Sequence, residues 1–390
     1  MIKLNAHFSR RELARQYASE LMGEVPITDV SSGLFLAGSR RTGKSEFLKE
    51  DLKEALADKG ALVIYLDLWA DPAKSSQTLI SEAVGKAMVE LQSAFIQKAK
   101  KEGAKEFSKF GFKFDISKIG ATDGMTLIDA LMELHKASKK KIALIIDEAQ
   151  HALTSDEGTN AMFALKSARD QMRINSESQL IIVMSGSHKD KLASLTNHNA
   201  APFYGANVRH MPTLGDAFAV DRARILAQIK PEFLSLSHKR MKEAFQHCQE
   251  RPEWFIQRIQ AAMAESGDLK QFEDRLLVLS QLTQEADQQA ITERFQSLGD
   301  LQQAIVTDLL ERGKSFKPFS KESIARYAKA TGGDADSSAV QTAMDQLCKM
   351  ERRNDPAIIW YSGRSSWSIY DQAMQEWFDY LKNAGEWPVR

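Results

Sequence analysis

The chain has 390 residues, 43% hydrophobic and 27% charged, the size of two or three domains and the composition of an ordinary soluble globular protein. Lys+Arg 52 balances Asp+Glu 52, so no global basicity points to nucleic acid, and any such contact has to come from a local basic face. Cys248 and Cys348 form no CxxC pair, which argues against a disulfide framework or a zinc ribbon.

The first residues, Met1-Ile2-Lys3-Leu4-Asn5, lack the apolar stretch of a signal peptide. No apolar run reaches the length of a membrane span. A cytoplasmic location and no membrane partner are therefore expected. The apolar runs at 33–37, 61–66, 142–146 and 180–184 are rich in β-branched residues or Leu and show no polar alternation. Each runs into a turn, which is how buried parallel strands read. A fifth strand is expected at 207–211, and 45–59 and 158–172 read as helices between strands. This alternation predicts an α/β parallel sheet with both faces covered, over residues 1–212.

Beyond Thr213 the strand signal ends. Helical patterns at 216–229, 237–250, 253–266 and 269–286 predict an all-helical domain at 213–297. Residues 298–390 read as helices at 300–312, 321–331 and 337–352, then a hairpin of 357–361 and 366–370 around Ser362-Gly363-Arg364-Ser365. Gly332-Gly333 turns the chain between the second and third helices, giving a helix-turn-helix with a wing.

After the first strand comes Gly38-Ser39-Arg40-Arg41-Thr42-Gly43-Lys44-Ser45, a GxxxxGKS sequence opening a helix. The glycines free the backbone so that successive N–H groups converge on phosphates, and the helix N-terminus adds its dipole. Lys44 is expected to reach the β- and γ-phosphates of ATP, and the Ser45 hydroxyl to ligate Mg²⁺. Asp147 follows the most apolar strand, at the tip where open α/β sheets bind ligands. It is the second expected metal ligand, and Glu148 the residue that orients and deprotonates the attacking water. In Asp147-Glu148-Ala149-Gln150-His151 the histidine stands one place too late for a DExH box. Ser185-Gly186-Ser187 ends the next strand, and Ser187 or Ser185 is expected beside the γ-phosphate.

With these residues in view, the chain resembles the AAA+ ATPases. It looks closest to the branch holding the archaeal-type ATPases, the origin-recognition ATPases and the STAND signalling ATPases. Phe8-Ser9-Arg10-Arg11-Glu12-Leu13 looks like the box that precedes the first strand in that branch. Gly38 to Ser45 is similar to the Walker A motif, 146–150 to Walker B, and 180–187 to the sensor-1 strand. Pro202-Phe203-Tyr204-Gly205 resembles a "P-L-Y-G-R" element, and Arg251-Pro252 stands at the lid-domain "G-x-P". Ser368-Ile369-Tyr370-Asp371 and Trp377-Phe378-Asp379-Tyr380-Leu381 resemble the family's C-terminal pattern. The resemblance implies an ATP-hydrolysing oligomer with a helical lid and a C-terminal winged helix, Arg251 acting as a sensor-2 cation. Two departures stand out. Ala206 replaces the arginine of the "Y-G-R" element, leaving Arg169, Arg173 and Arg209 as candidates for a trans-acting arginine. Ser9 and Arg10 occupy the region where a glycine is usual.

A winged helix lays its third helix in the major groove and its wing on phosphates. Here that helix presents Ser337, Ser338, Gln341, Thr342 and Asp345, followed by Lys349, Arg352 and Arg353, with Arg364 on the wing. The cations suit phosphates and Gln341 suits a base edge. Double-stranded DNA is the expected partner, and the alternative is a STAND-like switch whose winged helix docks a protein. Phe107 to Ile116 is expected to form an inserted hairpin, and Trp69 to pack over the nucleotide site or close a strand end.

Overall fold

A computed structural model describes residues 3–101, 125–175, 177–187, 189–197, 199–333, 335–348, 357–361 and 367–387. The chain divides into two compact units, His7–Thr213 and Met1–Ala6 with Leu214–Arg390. The expected hairpin at 107–116 and residues Lys349, Arg352, Arg353 and Arg364 lie outside the described residues.

The first unit is built on a parallel sheet of β1 (Leu34–Ala37), β2 (Leu62–Asp67), β3 (Ile142–Asp147), β6 (Leu180–Gly186) and β7 (Val208–His210). A two-residue hairpin, β4 (Arg173–Ile174) with β5 (Glu177–Ser178), precedes β6. Sheet order is β2-β3-β6-β1-β7, so β6 separates the strand before the phosphate loop from the strand carrying Asp147. Every residue of β1, β3 and β6 is buried, whereas edge strand β2 alternates. Helices on both faces explain the unbroken apolar runs, because neither face of a central strand meets water. One layer packs Ile80, Val84, Leu131, Leu134, Met162 and Leu165 against Leu144, Ile146 and Met184. The other packs Tyr17, Phe47, Leu48, Leu52 and Leu56 against Leu34, Ile145 and Val183.

The helices of this unit are α1 (Arg11–Met22), α2 (Lys44–Glu46), α3 (Lys53–Asp58), α4 (Ser76–Lys101), α5 (Leu127–Ser138), α6 (Asp156–Gln171) and α7 (Lys189–Ala193). The segment expected as one helix at 45–59 is α2 and α3 joined by a π-helical stretch, Phe47–Leu52. Caps set the starts of α5 and α6, where Thr126 and Ser155 accept the backbone N–H of Asp129 and Gly158.

In the second unit α8 (Gly215–Ile229), α9 (His238–His247) and α10 (Pro252–Glu265) meet through Phe218, Phe245 and Phe255. Helix α11 (Leu269–Gln296) runs ten residues beyond the expected end at 286. Within the extension Phe295 is buried and Ile291 packs against the same core, a two-residue apolar signal too short to announce the helix on its own. Next come α12 (Asp300–Arg312), α13 (Lys321–Ala330) and α14 (Ser337–Cys348), the antiparallel pair β8 (Ile359–Tyr361) and β9 (Trp367–Ile369), and α15 (Gln372–Ala384). Their core gathers Phe295, Ile305, Leu309, Val340, Met344, Ile359, Trp377 and Phe378. Inside it the buried Asp308 carboxylate accepts from Tyr327 at 2.8 Å, Arg326 at 2.7 Å and Arg312 at 2.9 Å, so its charge is paired. Residues Leu4 and Ala6 belong here too, because the buried Arg222 guanidinium donates to both carbonyls. No described helix is long and apolar enough to cross a membrane.

Candidate nucleotide site

Strand β1 delivers the chain to Gly38, whose N–H donates to the Gly186 carbonyl at 3.1 Å. The loop then turns on itself: the Thr42 hydroxyl donates to the Ser39 carbonyl at 2.8 Å, and Arg41 and Gly43 adopt left-handed φ of 64° and 80°. Gly43 meets that conformation without strain and starts α2 at Lys44. Arg40 and Arg41 are exposed, Ser39, Thr42, Gly43 and Ser45 partly so. Arg10 secures the end of the loop, donating to the Gly43 and Pro212 carbonyls at 3.0 Å each, with its guanidinium 4.7 Å above Phe47. Ser9 donates to Asp51 at 2.7 Å. Both positions that depart from the family box thus hold the phosphate loop and the helix that follows it.

Lys44 is buried, and its ammonium donates to Asp147 at 2.9 Å and Glu148 at 3.1 Å. Burial pulls the Lys44 pKa down, but the two carboxylates outweigh it and hold the ammonium above its ordinary value. Burial likewise pushes both carboxyls up, and Lys44 more than reverses it, so Asp147 and Glu148 sit below their usual range. All three groups are charged at neutral pH.

Asp147 accepts further hydrogen bonds from Ser185 and from Tyr65 at 3.1 Å. Burial, and then the neighbouring Asp147 carboxylate, drive the Tyr65 phenol pKa upward, so it remains a donor. Glu148 adopts a left-handed φ of 52°, an uncommon conformation for a residue with a side chain. Its Oε1 faces Lys44, while its Oε2 accepts from Gln150 and from the Ser187 hydroxyl at 3.0 Å. Ser185 is wholly buried and its hydroxyl is used on Asp147; Ser187 is the serine that reaches Glu148.

The residues fit Mg²⁺. Ser45 and Asp147 supply a hydroxyl and a carboxylate, and the hydroxyl helps hold the Asp147 carboxyl below its usual range; they are the hard-oxygen pair Mg²⁺ takes when substrate phosphates and water complete its shell. Among the described residues no group of three or more His, Cys, Asp and Glu side chains could hold a metal by itself.

Beside this cluster Trp69 stacks on His151 with ring centroids 4.0 Å apart, although half of Trp69 remains exposed. Burial lowers the His151 pKa to about 4, with Lys191 and Arg40 adding to that and Glu148 opposing it. Its imidazole is neutral at pH 7. Asp67, level with Asp147 across the β2–β3 pair, has its carboxyl pushed up by burial and by Asp147 and Glu148.

Two arginine candidates are engaged within their own unit. Arg169 is buried, bonded to the Ser32 carbonyl at 2.7 Å and to Asp170 at 2.8 Å. Arg209 pairs with Glu20 at 2.7 Å and with Asp29. Arg173 is exposed. Arg251 belongs to the second unit, 3.8 Å from Asp287 and 4.1 Å from the Trp254 ring. Gln341 is exposed on α14 and donates to Asp345 at 2.9 Å.

Sequence reasoning did not single out Gln150, Tyr65, Asp67 or the Arg10 clamp as site residues. Gln150 and Tyr65 had a usable signal: each is two positions from a strand-end acid, Tyr65 before Asp67 and Gln150 after Glu148.

No protein-family model and no curated protein matches the chain. Among solved structures, it is similar to the Walker-type ATPase PABY2304 of Pyrococcus abyssi, with a TM-score of 0.50 and 17% identity over 97% of this chain and 99% of that one. It is also similar to the ORC2 protein of Aeropyrum pernix in its ADP form, with a TM-score of 0.53 and 12% identity over 98% and 96% of the two chains. Fold and site together define the class: an α/β parallel-sheet protein with a GxxxxGKS loop after its first strand, followed by a helical region. The likeness at these identities is one of fold, extending over nearly the whole chain.

Proposed function

We propose that the chain binds and hydrolyses ATP with Mg²⁺ and uses the nucleotide state as a conformational or oligomeric switch. The observation that carries this reading is the Lys44 ammonium, buried at the start of the P-loop helix and shared by Asp147 and Glu148. A cation so placed is neutralised by carboxylates until phosphate oxygens arrive. The incoming β- and γ-phosphates then draw Lys44 onto themselves, and the Oε1 of Glu148 becomes free to accept a proton from water. The loop N–H groups from Ser39 to Ser45 cradle the phosphates. Bound Mg²⁺, held by Ser45 and Asp147, supplies charge neutralisation on the phosphate oxygens. Ser187, which donates to Glu148, is the proposed γ-phosphate sensor, and Arg251 the proposed sensor-2 cation.

We assign 1–212 to the nucleotide-binding domain, 213–297 to the lid and 298–390 to a winged helix that contacts double-stranded DNA. Helices α12 to α14 followed by the β8–β9 pair support that last assignment. So does the outward face of α14, which exposes Ser337, Ser338, Gln341 and Thr342. The solved structures it resembles include an ATPase and an ORC protein, both read here as relatives in fold.

The test is ATP turnover, measured with and without duplex DNA across a salt series. Mg²⁺-dependent hydrolysis, with duplex binding that weakens as salt rises and on Arg352→Ala, Arg353→Ala and Arg364→Ala, is the expected result. Turnover with duplex binding that ignores those substitutions overturns the groove-docking assignment. Slow turnover, retained nucleotide and no duplex binding identify the alternative, a signalling switch whose winged helix docks protein.

A further inference from the structure

We infer that Gln150 is the positioning residue for Glu148, and that Gly186 is glycine because Gln150 needs its space. The inference rests on the ATPase reading and deepens it. Glu148 is the group that has to meet the attacking water, yet its backbone is left-handed, so its side chain is not aimed by strand geometry. Something else has to fix it. The carboxylate is divided: Oε1 faces the exchangeable Lys44, and Oε2 is held by Gln150 and Ser187.

Gln150 is 6% exposed and donates through Nε2 to the Glu148 carboxylate, with Ser187 Oγ 3.4 Å away. Turning the amide over would set its carbonyl against an ionised carboxylate, so the orientation is dictated by charge. That orientation has a cost. Oε1 of Gln150 is buried without a hydrogen-bond partner among the described residues, an arrangement that calls for a functional reason.

The carbonyl has room only because residue 186 lacks a side chain. A Cβ there would stand 2.5 Å from Gln150 Oε1 and 3.3 Å from the Leu192 Cβ. Gly186 thus ends the β6 strand between Ser185 on Asp147 and Ser187 on Glu148, with Gln150 filling its open side. When phosphates draw Lys44 away, Oε1 of Glu148 loses its partner, while Gln150 and Ser187 keep Oε2 in place. One oxygen is restrained so that the other meets water at a fixed angle.

The test uses the full chain and steady-state ATP hydrolysis with Mg²⁺. Gln150→Met keeps the volume and removes the donor. It should lower kcat on the order of 10²-fold, with KM for ATP and the unfolding temperature near parental, since misplacing a reacting group by about 1 Å has that effect. Gly186→Ala should lower kcat comparably by displacing Gln150. In a Gln150→Ala background it should add less than about 2-fold, because the two substitutions remove one interaction. Turnover by Gln150→Met at the parental rate overturns the inference and leaves the ATPase reading intact, as does full additivity of the pair. Absence of Mg²⁺-dependent hydrolysis in the parental chain overturns both.

Discussion

The two ends of the parallel sheet use charge differently. At the C-terminal ends of the strands, Lys44, Asp147 and Glu148 share one cluster in which a single cation serves two carboxylates. Toward the strand starts the pairings are closed: Lys141 with Glu177 and the Met22 carbonyl, and Arg169 with the Ser32 carbonyl and Asp170; Arg209, midway along β7, is likewise closed on Glu20 and Asp29. The first cluster has one cation for two carboxylates, and on the proposed reading Lys44 exchanges them for phosphates. The second set ties α1 and the loops beneath the sheet to the strands. Charge in a cleft thus marks a site only where the partners are meant to change.

Lys44→Ala breaks the first cluster most severely. ATP affinity should fall about 100-fold or more, as expected for losing two charge-assisted contacts of about 1.5–3 kcal/mol each. The free protein should also melt lower, because the buried Asp147 and the partly buried Glu148 lose their counter-charge. Calorimetric ATP titration and thermal unfolding measure both. Unchanged affinity would mean that Lys44 never leaves the carboxylates.

Arg209→Ala probes the closed set. Stability should fall by about 1–3 kcal/mol, the range for stranding the buried Glu20 carboxylate, while turnover per folded molecule stays parental. Denaturant titration and an active-fraction-corrected rate decide it. A collapse of turnover at full stability would instead make Arg209 a cation acting on nucleotide, and the contrast between the two ends would fail.

His7 offers a smaller effect. It stands 3.1 Å from both Glu46 and Asp51, beside the helix that leaves the phosphate loop. Burial alone lowers its pKa, but the bonds to Asp51 and Glu46 outweigh that and leave it above the ordinary value of 6.5. A raised folded pKa stabilises below the unfolded value and ceases to do so as pH rises through the folded one. The stability gap between the parental chain and His7→Gln should therefore be full below pH 6.5 and shrink above the raised pKa. Its size is below about 1 kcal/mol, because the imidazole is partly exposed. Denaturation at pH 5.5 and 8.5 checks it, and a gap that widens with pH contradicts the ion-pair account.

Much of the sheet could be read from the chain alone. Residues 142–146 and 180–184 are apolar without alternation because both faces of their strands are covered, and that pattern is local. Gly38 to Ser45 and Asp147-Glu148 could be singled out as candidates for a related reason: each is a run of adjacent residues at a strand end. What escaped were contacts between distant segments. Nothing near Arg209 announces Glu20 and Asp29, and nothing near Gly186 announces the Gln150 carbonyl. The extension of α11 to Gln296 escaped because Ile291 and Phe295 pack on a core built from later residues such as Ile305 and Trp377, a contact no local pattern announces.

The central claim is that the cluster at the strand tips is a hydrolytic nucleotide site with Glu148 as its base. It is tested most directly by steady-state ATP hydrolysis and ATP retention in Glu148→Gln. The account predicts near-parental ATP binding with turnover lower by about 10²–10⁴-fold, the range for losing a positioned general base. Hydrolysis at the parental rate would contradict it.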